Sequence, residues 1–297
     1  MPGWNEVLDE IKTAVTNPFD IVRSRYLSQY FKMTGRNVIC YYSSWLQKPN
    51  EEASISEADK NAFMSVIKGL DKSKGLDLIL HTPGGSLVAT ESLVDYLWTM
   101  FDKNIRAIVP QIAMSAGTLI ACSCNEIIMG THSSLGPIDP QYGGFPAQGF
   151  LDEFNKAKEE IIKNPAAAYF WRPILEKYHP TFLGECYNAI ELSKEICERW
   201  LNENMFKDDP KSSSNVKKII KTLSDHNTSK THSRHFSLNT CKKIGLKVKA
   251  LEDNNDYQDC VLTLHHAYMH TFANTDAVKI IENQNGVRMV YGMKRSS

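Results

Sequence analysis

The chain of 297 residues carries 34 basic and 34 acidic side chains, a formal net charge of zero, and 42% of it is hydrophobic. That length and apolar content bury an ordinary core, as one domain with elaborations or as two. The balanced charge offers no pull toward nucleic acid or another polyanion. Seven cysteines, an odd number scattered through apolar patterns without a Cys-x-x-Cys pair, are expected as reduced core residues rather than a disulfide frame.

The first residues lack the basic start and apolar centre of a signal peptide, and nowhere do eighteen uncharged apolar residues run together. A cytoplasmic protein without an integral membrane span is expected. Residues 4–32 place Trp4, Val7, Leu8 and Ile11, then Ile21, Val22, Tyr26, Leu27 and Tyr30, at helical spacing, interrupted at Asn17-Pro18. Their charges balance in sign, so these two helices are expected to pack on the core rather than lie on lipid. Asn37–Tyr42 reads as a strand. Ser56, with Asp59 three residues on, reads as the cap of a helix that turns Phe63, Val66, Ile67 and Leu70 inward.

A strand over Leu78-Ile79-Leu80 meets Pro83-Gly84-Gly85, and an amphipathic helix follows with Leu93, Val94, Leu97, Met100 and Phe101 on one face. The geometry repeats at once: strand Ile105–Val109, then Pro110, then Met114-Ser115-Ala116-Gly117 opening the helix Thr118–Cys122. Alternation of strand and helix from residue 37 to 124 implies parallel strands joined by right-handed crossovers, an α/β fold. After a short strand, Glu126–Met129, residues 137–149 read as loop. Helices are expected over Phe150–Lys163, Ala166–Lys177 and Cys186–Met205, the last with a stripe of Ile190, Cys197, Trp200 and Leu201.

The polar run 207–215 is the best boundary. It divides the chain into a helical extension (1–35), a core with a helical insertion (36–206) and a C-terminal segment (207–297) that completes the core. That segment reads as a helix through Val216, Ile219, Ile220 and Leu223, a second helix bearing His265, His266 and His270, and a hairpin around Asn285-Gly286, a type I′ signal. His266 and His270 stand at metal-compatible spacing, but without a His-Glu-x-x-His pattern or a third ligand they are expected as solvated or capping residues. No metal is expected, and with no Gly-x-x-x-x-Gly-Lys-Ser/Thr loop no cofactor is expected either.

Two stretches carry the chemistry. A double glycine at a strand-to-helix turn leaves backbone N–H groups unshielded, and Ser115 at a helix start lies where partial positive charge favours a developing anion. Both lie at the carboxyl ends of strands, where open α/β sheets place ligands. The spacing therefore reads as a nucleophilic Ser115 with an oxyanion hole drawn from Gly84, Gly85 and Ala116. There is no Gly-x-Ser-x-Gly elbow.

Thr82-Pro83-Gly84-Gly85 followed by Met114-Ser115-Ala116-Gly117-Thr118, then Glu126–Gly130 and Ser134-Leu135-Gly136-Pro137-Ile138-Asp139-Pro140, resembles the ClpP and signal peptide peptidase A clan of serine peptidases. The closest resemblance is to its serine dehydrogenase proteinase family, and it runs from about Arg36 to Leu251. The resemblance implies a ClpP/crotonase-like core of repeated β-β-α units, a protruding helical handle, a homo-oligomer, and a peptide or unfolded protein as substrate. It also implies a non-catalytic alternative, a scaffold that binds peptides or a partner protein through the same fold.

The residue that activates Ser115 is left open between two solutions. Where ClpP enzymes carry histidine and then aspartate, this chain reads Asp139 and then His232. A triad of Ser115, Asp139 and His232 follows the order of the serine dehydrogenase proteinase family. It requires His232 to lie between the other two. A dyad of Ser115 with Lys156, as in signal peptide peptidase A, needs only one residue correctly placed. It also needs desolvation to bring that lysine from about 10.4 towards neutrality.

Overall fold

A strand buried on both faces needs apolar side chains at consecutive positions, and Asn-Val-Ile-Cys-Tyr-Tyr-Ser over Asn37–Ser43 (β1) meets that demand with every residue buried. The computed structural model describes residues 3–14, 17–48, 51–209, 212–224 and 234–293. Ahead of β1 come helices α1 (Trp4–Thr13) and α2 (Pro18–Thr34), separated as expected at Asn17-Pro18, with Pro18 at the first helical position. After it follow α3 (Ala58–Ile67), β2 (Leu76–His81), α4 (Leu87–Phe101), β3 (Ile105–Val109), β4 (Ile112–Ala113), α5 (Ala116–Cys122), β5 (Glu126–Met129) and β6 (Ser134–Leu135).

An inserted section holds the small hairpin β7 (Gln141–Tyr142) and β8 (Phe145–Pro146), then α6 (Ala147–Lys163), α7 (Ala168–Leu175) and α8 (Phe182–Trp200). The chain returns through α9 (Ser212–Ser224), β9 (Phe236–Ser237), α10 (Leu238–Ile244) and β10 (Val248–Ala250). It ends with α11 (Asn255–Asn274), β11 (Ala277–Asn283) and β12 (Arg288–Gly292).

These strands form a mixed seven-stranded sheet in the order β10-β5-β3-β2-β1-β11-β12. The first five run parallel, whereas β11 is antiparallel to β1 and β12 to β11. Alternate residues feed two cores. Ile39, Tyr41, Leu78, Leu80, Ala107 and Val109 face α3, α4 and α5, while Val38, Cys40, Tyr42, Ile79 and Ile108 face α1, α2 and α11. A second sheet, β4-β6-β9, stands at the carboxyl ends of the central strands. Its β4 is extended by a parallel bridge between Thr82 and Ala113.

Tertiary context changed several local expectations. The hairpin at Asn285-Gly286 forms, but not with a type I′ turn: Gly286 alone has positive φ (77°), after an Asn283 carboxamide that accepts from the N–H groups of Asn285 and Val287. This is the three-residue loop ending in a left-handed glycine. In the C-terminal segment β11 pairs with β1 and α11 packs on α2. Ser56 does not cap α3 with its hydroxyl; instead the Asp59 carboxylate accepts from the Ser56 N–H at 2.9 Å. The stripe on α8 is spent within the chain, with Cys197, Trp200 and Leu201 in the main core and Ile190 in a small core with Ala147 and Cys186. Residues 137–149, expected as loop, contain the β7-β8 hairpin and the first turn of α6. All seven cysteines are free and buried, and among the described residues no helix is long and apolar enough to cross a membrane.

One buried ion pair ties the last strand pair to α3. Lys279 on β11 is 2.7 Å from Asp59, and both side chains are almost wholly buried. Tyr41 donates to the same carboxylate at 2.9 Å. Removing one partner of such a pair leaves a buried charge uncompensated, which costs about 3–5 kcal/mol. Lys279→Met is therefore expected to lower the unfolding free energy by about that amount in urea titrations, and Asp59→Asn in the same chain to restore part of the loss.

Candidate active site

The second sheet brings the two glycine- and serine-bearing turns together. Thr82, leaving β2, donates its N–H to the Ile112 carbonyl at 3.3 Å, and its own carbonyl accepts from the Met114 N–H at 3.0 Å. The two chains then run side by side into Gly84 and Ser115. A side chain on Gly84 would lie 2.7 Å from Ser115 Cβ and 2.8 Å from the Ala116 nitrogen, and its φ is +96°. Only glycine satisfies both conditions. Gly85 is equally restricted, because Ile55 crosses it so closely that a Cβ would meet the Ile55 nitrogen and oxygen at 2.4 Å. Ile55 donates to the Gly84 carbonyl and accepts from the Ser86 N–H, fixing the glycine turn from outside.

Ser115 has a backbone conformation that side-chain-bearing residues rarely adopt, φ 52° and ψ −118°, at the start of α5. Such a conformation costs about 1–3 kcal/mol and persists only where the surroundings impose it. Its hydroxyl makes no capping bond to the helix it precedes, so the ordinary reason for serine at this position is absent. Ser115 is half-buried and lines a cavity of about 380 Å³ with Gly85 and Ala116. Leu87, Leu119 and Ile138 make its apolar wall, and Tyr142, Ala189 and Ser193 reach it from the inserted section. Tyr142 falls in the 137–149 stretch expected to line the pocket, whereas no local signal marks Ile55, Ala189 or Ser193, which are distant in the chain.

Of the two glycine N–H groups, that of Gly84 donates to Thr82 Oγ1 at 3.2 Å. That of Gly85 has no acceptor among the described residues. Ala116 is the first residue of α5, and the N–H groups of a helix's first turn have no intrahelical acceptor. The two open donors thus flank Ser115 from the two halves of the site.

Asp139 lies just beyond β6, buried to 3% exposure, in the strap Gly136–Pro140. It borders a second cavity of about 780 Å³ that shares Ile138, Pro140 and Ser193 with the Ser115 cavity and also reaches Ser224 at the end of α9. Lys156 is elsewhere. Its side chain is 58% exposed on α6, 3.6 Å from Glu153, with the ammonium over the Trp171 ring. It does not line the Ser115 cavity. His232 lies outside the described residues.

A mixed α/β chain with a strained serine at a helix start, facing a glycine turn, is the class this arrangement defines. Residues 54–168, which hold Gly84, Gly85, Ser115, Ala116, Asp139 and Lys156, match the family described as ClpP-like SDH-type serine proteinase. This is the family that the motifs resemble. The chain is also similar to two proteins of Methanocaldococcus jannaschii. It is 42% identical over 164 residues to uncharacterized protein MJ0137, half of this chain and 55% of that one. It is 36% identical over 107 residues to uncharacterized protein MJ1495, 36% of either chain. The matches thus span about half and about a third of these relatives.

Solvated or capping histidines are expected from sequence in the C-terminal segment; instead His265 and His270 are buried. His265 is buried against Tyr42 and His81, and His270 Nε2–H donates to the Trp4 carbonyl at 2.9 Å while its ring packs on the Trp4 indole. Among the described residues no three such side chains gather as a metal would require. His81, between the Ser43 carbonyl and the Gln111 carboxamide, joins β1 and the β3–β4 turn.

Burial pushes the His81 imidazolium down to about 4 and that of His265 well below its ordinary value, so both rings are neutral in the folded chain. Once unfolded, each takes up a proton near pH 6.5. Stability from these rings is therefore complete above about pH 6.5 and falls as the pH drops toward about 4, by about 1.4 kcal/mol per pH unit for each ring. Urea unfolding followed from pH 7 to 4.5 is expected to show this decline, and His265→Phe to make it shallower.

Proposed function

We propose that the chain is a serine peptidase that hydrolyses peptide bonds through an acyl-enzyme on Ser115. The observation that carries this reading is the backbone of Ser115, held at φ 52° beside a cavity that the residue lines, with its hydroxyl making no capping bond to the helix. In this reading the Ser115 oxygen attacks the peptide carbonyl carbon and its proton passes to a neighbouring base. The resulting oxyanion accepts from the Gly85 and Ala116 N–H groups, the two donors left open at the site. The base then protonates the leaving amine, and water repeats the sequence on the ester to release the acid and restore Ser115.

Asp139 with His232 is the reading of that base which the surroundings favour. Asp139 is buried one residue beyond the cavity wall, and an imidazole next to it would be oriented and its cation stabilised. His232 is four residues before Phe236, which pairs with Leu135 at the foot of the same strap, and four residues reach at most about 14 Å. Lys156 lacks what a lysine base needs within the chain, because an exposed ammonium paired with Glu153 is not desolvated.

The same reading assigns the substrate as peptide or unfolded protein and the assembly as a homo-oligomer that encloses the sites. Support for the assembly comes from the inserted helices, where Ile162, Tyr169 and Phe170 are 71%, 88% and 66% exposed. Apolar groups so exposed mark contact surfaces. The seven buried free thiols agree with work in the cytoplasm.

A fluorophosphonate probe tests the chemistry directly: the Ser115 oxygen bonds to phosphorus, fluoride leaves, and the proton goes to the base. Mass spectrometry of the intact chain is expected to show one adduct, lost in Ser115→Ala. Asp139→Asn and His232→Ala are expected to slow labelling by about 10²-fold or more, and Lys156→Ala to leave it near the parent rate. The rate is expected to rise through about pH 6.5 and level off. No adduct on folded protein from pH 6 to 9 would favour the scaffold that binds peptides without cleaving them. Light scattering at micromolar concentration is expected to report an oligomer, and Phe170→Glu to shift it toward monomer.

A further inference from the structure

We infer that Thr118 is a positioning residue, whose hydroxyl sets the register between the Ser115 turn and the strap that carries Asp139; this rests on the peptidase reading above. Thr118 lies three residues beyond Ser115, on α5, and is fully buried. Its Oγ1 is 2.9 Å from the Ala113 carbonyl and 3.0 Å from the Gly136 carbonyl, and it accepts from the Gly136 N–H at 3.0 Å. One proton serves either carbonyl, while a lone pair holds the Gly136 amide. In both states the hydroxyl fastens α5, the helix that follows Ser115, to the segment leading to Asp139, and in one of them it also holds the Ala113 carbonyl.

No other side chain of α5 makes a hydrogen bond to Gly136. Further along the strap the holds come from outside α5. The Ile138 N–H donates to the Leu223 carbonyl at 2.9 Å, and the Ile138 carbonyl accepts from Ser193 Oγ at 2.7 Å. Those two bonds fasten the residue before Asp139 to α9 and α8. They fix the strap to the inserted and returning helices and act on its distance from Ser115 only through those helices. Thr118 supplies the direct link, and it is the only one of the three that belongs to the helix of the nucleophile.

A threonine in mid-helix ordinarily back-bonds to a carbonyl of the preceding turn, which needs no partner outside the helix. Here the hydroxyl also takes the amide of a residue eighteen positions away. Replacing it with an isosteric methyl leaves the Gly136 N–H buried without an acceptor, so the strap must move to find one. A shift of about 1 Å between a nucleophile and its activating groups costs about 10²-fold in rate.

The test measures fluorophosphonate labelling of the full chain under saturating probe, for the parent, Thr118→Val, Thr118→Ser and Ser193→Ala. Thr118→Val is expected to lower the maximal labelling rate by about 10²-fold with the half-saturating probe concentration little changed, and Thr118→Ser to return it to within about threefold of the parent. Ser193→Ala, which frees the strap at Ile138 without touching α5, is expected to slow labelling by about tenfold, and it decides the matter should Thr118→Val fail to fold. A Thr118→Val chain labelled at the parent rate overturns the inference, as does equal slowing by Thr118→Val and Thr118→Ser, or a folded Ser193→Ala at the parent rate where Thr118→Val is unfolded. A parent chain that takes no label overturns the Ser115 reading itself, and this inference with it.

Discussion

The close approach of two backbones, Gly84 against Ser115, is the constraint on which the site depends. With a Cβ on Gly84 the two turns would be forced apart by contacts of 2.7–2.8 Å with Met114, Ser115 and Ala116. Without that approach the open N–H of Gly85 and the start of α5 would not share one cavity. The approach is itself a product of sheet geometry: Thr82 pairs with the chain at Ile112 and Met114, so each turn is delivered by a strand of fixed position. Ile55 then closes the outer side by hydrogen bonds to both neighbours of Gly85.

The strain at Ser115 follows from the same crowding. A residue at φ 52° and ψ −118° gains nothing locally from that conformation, and its hydroxyl does not recover the loss by capping α5. What holds it is the surrounding network, in which the Gly117 N–H donates to the Met114 carbonyl and the Leu119 N–H to that of Ser115. Rigid support behind a strained residue is what a site requires in order to present one side chain in one direction. At the opposite ends of the strands Asp77 is gripped by Arg36, Arg106 and Tyr30, while the carboxyl ends lead into the turns at Gly84 and Ser115.

The inserted section contributes to the cavity as well as to the outer surface. Tyr142 from the small hairpin and Ala189 and Ser193 from α8 complete the walls around Ser115. The sheet therefore places the Gly84 and Ser115 turns, and the insertion shapes the space they face. The first half of α8 belongs to a separate small core with Ala147 and Cys186, whereas its second half enters the main one. One helix thus links the exposed insertion to the centre of the molecule.

The sequence alone determined the parallel α/β alternation, the two turns at Gly84-Gly85 and Ser115, and the family they resemble, because each rests on local signals: apolar runs, strand-to-helix glycines, a serine at a helix start. It did not decide the turn type at Asn285-Gly286, where the Asn283 side chain takes the backbone amides. Nor did it foresee that His265 and His270 are buried, since a histidine on a mixed helix face reads as polar until α1 and the sheet close over it. Thr118 was visible only as the start of a helix, and Lys156 as a base and Asp139 as the partner of His232 were both open as readings of what activates Ser115. Tertiary packing separated them: Asp139 went into a buried strap and Lys156 onto an open helix face. Burial of a charge depends on which distant elements cover it, and neither period nor spacing encodes that cover.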